Sequence, residues 1–157
     1  MEFDPNEIFN EVASLAFAKE DRTEYERPNP LRDKSFAFAV TIGEIAMPLC
    51  EDRKTYYAGN QLLRSSSSVA ANISEANGAS SPKDFVAKLY IALKEARESN
   101  FWMRYAVELK LLKTDTTKQP IADLDEVVRI LKAVIKTTKA RHLSKPGSRA
   151  EGEKNIS

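Results

Sequence analysis

Histidine, cysteine and glycine are scarce in this 157-residue chain, and long apolar runs are absent altogether. The one histidine, His142, cannot assemble a histidine dyad, triad or multi-histidine metal site within a single chain. It reads instead as a surface residue near the end of a basic helix. The one cysteine, Cys50, excludes an intramolecular disulfide and reads as a small buried hydrophobe in a reducing compartment. None of the five glycines stands in a Gly-x-x-x-x-Gly-Lys context, so a phosphate loop of that type is excluded. No stretch approaches the roughly 18 uninterrupted apolar residues of a membrane span. The start, Met1-Glu2-Phe3-Asp4-Pro5, has no basic segment leading into an apolar one. The expectation is a cytoplasmic protein with no membrane partner.

What is present is charge, unevenly placed. The formal total is only +1. Residues 1–27 nevertheless carry eight acids against three bases, a net of −5, and residues 129–157 carry eight bases against two acids, a net of +6. One end of the chain is acidic and the other basic, so a local electropositive face survives a near-neutral sum.

Apolar residues recur at three- and four-residue spacing in four segments, and no segment alternates as a strand does. The first helix is predicted to start at Asn29-Pro30, with Asn29 as N-cap and Pro30 in the first helical position. It carries two apolar rows, Phe36, Val40, Met47 and Cys50 beside Phe38, Ile42, Ile45 and Leu49, which together predict a broad buried face. Pro48 is expected to kink its last turn or end it early. The second helix is predicted over roughly Tyr56 to Asn77, stopped by a left-handed Gly78, with Leu62, Ser66, Val69, Ile73 and Ala76 on its inner face. Ser65 to Ser68, Ala70 and Ala71 keep this helix thin enough for close neighbours.

Ser81-Pro82-Lys83-Asp84 supplies a serine cap, a proline at the first position and a carboxylate that can reach back to the cap N–H. The third helix then runs to about Leu112, with Phe85, Leu89, Ala92, Ala96, Ser99, Met103 and Ala106 inward. The fourth follows Pro120, with Ile121, Leu124, Val128, Leu131 and Ile135 in register, acids near its start and bases near its finish. Short connections favour an all-α, antiparallel, up-down-up-down four-helix bundle over residues 29–142. Residues 1–28 form an acidic extension, with a possible helix over 5–19 through Ile8, Phe9, Val12, Leu15 and Ala16. Residues 143–157 are expected to be a disordered tail.

A search for chemistry returns little. Glu95 and Glu98 invite comparison with the carboxylate metal sites of bundles, but the paired Glu-x-x-His motifs those sites need are missing. No catalytic residue, metal site or cofactor is expected. Two polar stripes remain: Gln61, Arg64, Ser68, Asn72 and Glu75 on the second helix, and Lys88, Glu95, Glu98, Trp102 and Tyr105 on the third. Both suit solvated faces. The sharper reading is that Arg64 and Asn72 meet carboxylates of a neighbouring helix or subunit, since polar residues in a helical seam fix register or association.

The same stretches carry a family resemblance. Gln61-Leu62-Leu63-Arg64-Ser65, Ser68, Ala71-Asn72 and Glu75-Ala76 are followed by Asp84-Phe85, Lys88-Leu89, Ile91-Ala92, Lys94 to Glu98, Trp102 and Arg104. Together with Asp33 to Ala39, this pattern resembles the bacterial four-helix-bundle family named after 23S rRNA intervening sequences, over about residues 30–140. The acidic extension and Pro48 depart from it. The resemblance implies a ring-shaped homo-oligomer, a pentamer, with no established enzymatic activity. It also implies a distant kinship with the accessory variability protein of diversity-generating retroelements, and hence an analogy to RNA or DNA binding.

Two functions follow as expectations. In the favoured one the chain is a non-enzymatic, nucleic-acid-associated module, with Arg129, Lys132, Lys136, Lys139 and Arg141 contacting phosphates of RNA or DNA. In the alternative it is a self-assembling scaffold or adaptor for a protein partner, and those bases are merely solvated.

Overall fold

The computed structural model describes residues 28–143, and these form four α-helices with no strand among them. They are α1 (Pro30–Glu51), α2 (Tyr56–Asn77), α3 (Pro82–Glu108) and α4 (Thr114–Thr138), the last running into a π-helical turn at Lys139–Leu143. Consecutive helices pack on each other and α1 packs on α4, closing an antiparallel four-helix bundle. The expected helix at 5–19 and the tail beyond Leu143 lie outside the described residues.

The starts of α1 and α3 follow from their caps. The Asn29 side-chain oxygen accepts from the Arg32 N–H at 3.0 Å, and its amide donates to Asn77 Oδ1 at 2.9 Å, tying the entry of α1 to the exit of α2. Ser81 Oγ accepts from the Asp84 N–H at 3.1 Å. The returning carboxylate reaches one residue further than expected, because Asp84 Oδ2 accepts from the N–H of Ser80 at 3.2 Å rather than from that of Ser81.

The core takes one face of each helix. All five predicted inner residues of α2 and all seven of α3 are buried. α4 buries Leu124, Val127, Ile130, Leu131, Val134 and Ile135, leaving Ile121 and Val128 only half-buried. Between α2 and α3, buried Ser99 donates to buried Ser65 at 3.0 Å, so two hydroxyls satisfy each other where a larger pair would hold the helices apart. Between α1 and α2, Gly59 has no room for a side chain. A Cβ there would lie 2.7 Å from Leu49 Cβ and 3.0 Å from both Cys50 N and Cys50 Sγ. Cys50 itself is half-buried rather than buried.

Four expectations are corrected. Only one apolar row of α1 enters the core: Phe38 and Ile42 are 3% and 0% exposed, whereas Phe36, Val40 and Met47 are 65%, 46% and 59% exposed. Of the two outcomes expected at Pro48, the early end does not occur: Pro48 lies in the last turn of α1, which continues to Glu51, and the carbonyl of buried Leu49 accepts from the Thr55 hydroxyl at 2.7 Å. Pro120 does not start α4, which begins six residues earlier. The proline lies in the second turn, where both it and Thr117 are buried. Finally, Gly78 has φ −90°, and α2 ends on a tight turn in which Gly78 N–H donates to Glu75 O. The left-handed residue is Lys110 at φ 57°, just past the end of α3 at Glu108. Its N–H donates to Val107 O and that of Leu111 to Ala106 O, both at 2.9 Å, which closes α3 with a Schellman motif short of Leu112.

Candidate functional site

Three outward surfaces carry the residues of interest. The first is a ridge where α2 meets α3. Arg64 stands at its centre, donating from Nε to Gln61 Oε1 at 3.2 Å, from Nη1 to Glu95 Oε2 at 3.4 Å and from Nη2 to Glu98 Oε1. Trp102 Nε1 donates to the same Glu98 oxygen at 3.3 Å. The Arg64 bond holds the Glu98 carboxyl below the usual carboxylate range, against a smaller opposing push from burial, and the Trp102 bond assists. Arg64 is reciprocally raised, chiefly by its bond to Glu98. The arginine side chain stays 48% exposed, so this is a surface network with modest energetic weight.

The remaining seam residues divide. Glu75 pairs with Lys88 one helix away, raising the lysine's pKa mainly through their hydrogen bond. Asn72 meets no carboxylate; its amide donates to Ser68 O at 2.8 Å and Ser68 Oγ at 3.3 Å, within its own helix. Two aromatic residues absent from the predicted stripes complete the ridge. Tyr57 packs edge-on to Trp102 with centroids 5.5 Å apart, and Phe101 lies edge-on to Trp102 at 5.0 Å and stacked on Tyr105 at 5.8 Å. The signal for Tyr57 was its place four residues before Gln61 and seven before Arg64, on the same face.

The second surface is the basic stripe of α4. Arg129, Lys132, Lys136, Lys139 and Arg141 are all exposed. Lys139 Nζ sits 5.9 Å from the ring centroid of Tyr90 on α3. No ion pair among the described residues reaches Lys132 or Lys136. The third surface is the outer row of α1. Phe36 borders a cleft of about 530 Å³ between α1 and α2, lined also by Arg32, Asp33, Ala39, Ser67, Ala70, Ala71 and Ser74. Small residues on α2 open this cleft.

Among the described residues no group of three or more His, Cys, Asp or Glu side chains could hold a metal ion, and no helix is long and apolar enough to cross a membrane. The three surfaces offer charge, aromatic faces and apolar area.

Comparison with known proteins gives these surfaces a context. The model of a family described as 23S rRNA-intervening sequence protein matches residues 29–133. The chain belongs to that family. A crystal structure of a protein of unknown function from the S23 ribosomal protein family of Bacteroides thetaiotaomicron is also similar, at 36% identity and a TM-score of 0.64. The match covers 68% of this chain and 98% of that one. No curated protein matches. The 23S rRNA-intervening sequence protein region contains the whole ridge and the α1 row. It stops before Lys136, Lys139 and Arg141 and leaves out the acidic extension.

Proposed function

We propose that this chain is a non-enzymatic, cytoplasmic module that assembles with copies of itself and binds RNA or DNA through the phosphate backbone. The observation that carries the reading is the stripe on α4. Lys132 and Lys136 stand one turn apart, exposed, with no ion pair among the described residues to neutralise them. One such stripe offers few phosphate contacts and binds weakly. A ring of subunits, pentameric by family resemblance, repeats it and converts weak contacts into avidity.

The test is fluorescence anisotropy with labelled RNA and DNA of unrelated sequences, across a salt series. Affinity should fall steeply with salt. The double variant Lys132→Glu/Lys136→Glu should weaken binding to every sequence and flatten the salt slope. Binding indifferent to the reversal sinks the reading.

A second reading has its own support. Phe36, Val40 and Met47 expose apolar side chains on one side of α1, and Phe36 borders the α1–α2 cleft, the kind of apolar exposure that marks protein contact surfaces. On that reading the chain is a scaffold or protein adaptor and the lysines are solvated. Absence of nucleic acid from an intact oligomer would favour it.

A further inference from the structure

We infer that the acidic segment preceding the bundle, centred on Glu20, Asp21, Glu24 and Glu26, docks on the basic stripe of α4 in its own chain and competes there with phosphate. The competition rests on the nucleic-acid reading above; the contact itself does not.

Charge complementarity is the first argument. Residues 1–27 carry a net −5 and residues 129–157 a net +6. Both excesses lie largely outside residues 29–133, the span matched by the family. The similar solved structure is covered almost completely by 68% of this chain, so about a third of this chain lies outside that match. Two opposite charge excesses flank a shared bundle.

Geometry is the second. Lys34 near the start of α1 pairs with Glu126 of α4 at 3.0 Å. Because the two helices run antiparallel, residues earlier in α1 lie beside residues later in α4. Counting from that pair places Pro28, the first described residue, at about the level of Lys132 along the bundle axis. The acids of residues 20–26 are joined to that point by a span of at most about 3.3–3.6 Å per residue. Eight residues reach well across one helix, about 10–12 Å in diameter. Tethering so close raises the local concentration of these acids to roughly the millimolar range. Lys132 and Lys136 are exposed cations within that span, in no ion pair among the described residues.

The test uses the full-length chain. A carbodiimide forms amide cross-links between carboxylates and amines already in contact. Peptide mapping should join Glu20, Asp21, Glu24 or Glu26 to Lys132 or Lys136, and a mixture of light and isotopically heavy chains should show the links to be within one chain. Neutralising the segment (Glu20→Gln, Asp21→Asn, Glu24→Gln, Glu26→Gln) should abolish these links. It should also tighten binding of a labelled RNA about tenfold, the factor expected if the open stripe is populated about one-tenth of the time.

A matched control removes four acids at the far end of the bundle (Glu51→Gln, Asp52→Asn, Glu108→Gln, Asp115→Asn). It should leave affinity unchanged, because those sites lie beyond a Debye length of about 8 Å. Missing cross-links overturn the docking, as does equal tightening by both variants. Cross-links with unchanged affinity overturn the competition. Cross-links in a chain that binds no nucleic acid in any variant leave the docking standing and defeat the nucleic-acid reading instead.

Discussion

The two apolar rows of α1 are both written in hydrophobic residues at helical spacing, yet they do opposite things. Phe38, Ile42 and Leu49 fill the core, while Phe36, Val40 and Met47 face outward beside a cleft. A helix in a four-helix bundle has two neighbours and one inner face, so a second row lying well around the helix must stay outside however hydrophobic it is. Periodicity identifies a row; it does not say whether the same chain or another one covers it.

The largest expected effect breaks the pair most directly. Phe38→Ala should destabilise the bundle by about 3–5 kcal/mol, through lost transfer energy and the cavity left behind. Phe36→Ala should change stability by under about 0.5 kcal/mol in a dissociated chain. Urea midpoints of the two variants, measured at low protein concentration, compare the rows with identical chemistry. Equal losses would mean that both rows are buried.

Next in size is the end of α1 that the inner row reaches. Gly59→Ala should destabilise by about 1–3 kcal/mol, because the added carbon meets Leu49 and the Cys50 backbone, neither of which is a flexible tip. A midpoint equal to that of the native chain would contradict the close α1–α2 approach.

The α2–α3 ridge sharpens the comparison from the polar side. The lowered Glu98 carboxyl contributes stability that is complete above the ordinary glutamate pKa of about 4.3 and is lost as pH falls through its folded value. Glu98→Gln should therefore cost up to about 1 kcal/mol at neutral pH, discounted for exposure, and converge with the native chain in acid. A penalty independent of pH would show that the carboxylate's charge is not what matters. The smallest effect is a gain. Lys110→Gly should stabilise by about 0.5–1 kcal/mol, since the left-handed position then carries no side-chain penalty.

Much of this fold was legible because local chemistry and packing agree. Asn29 and Ser81 cap where their side chains can reach the first free N–H groups, and the thin inner faces of α2 and α3 pack where their small residues allow it. The misreadings share a cause. Pro120 and Gly78 were read as local signals, but the proline is accommodated inside a longer helix and the glycine ends α2 by a tighter turn. Lys110 shows the converse, a left-handed cap without glycine that no local rule marks.

At the candidate surfaces, Arg64 was expected to find an acid, and it bridges Glu95 and Glu98. Asn72 was expected to find one and bonds back to its own helix. Tyr57 was on the face that spacing marks, but its contact with Trp102 depends on which helices are neighbours; Phe101 was missed although its ring partners, Trp102 and Tyr105, lie on its own helix.

The measurement that tests the division of α1 most directly is native mass spectrometry of the nuclease-treated chain beside its Phe36→Ser/Met47→Ser variant, with circular dichroism to verify that both are folded. The account predicts a homo-oligomer for the native chain and a lower mass for the variant at unchanged helix content. A monomeric native chain would contradict the proposed self-assembly, and a variant that keeps the full mass would show that the outer row is not the subunit contact.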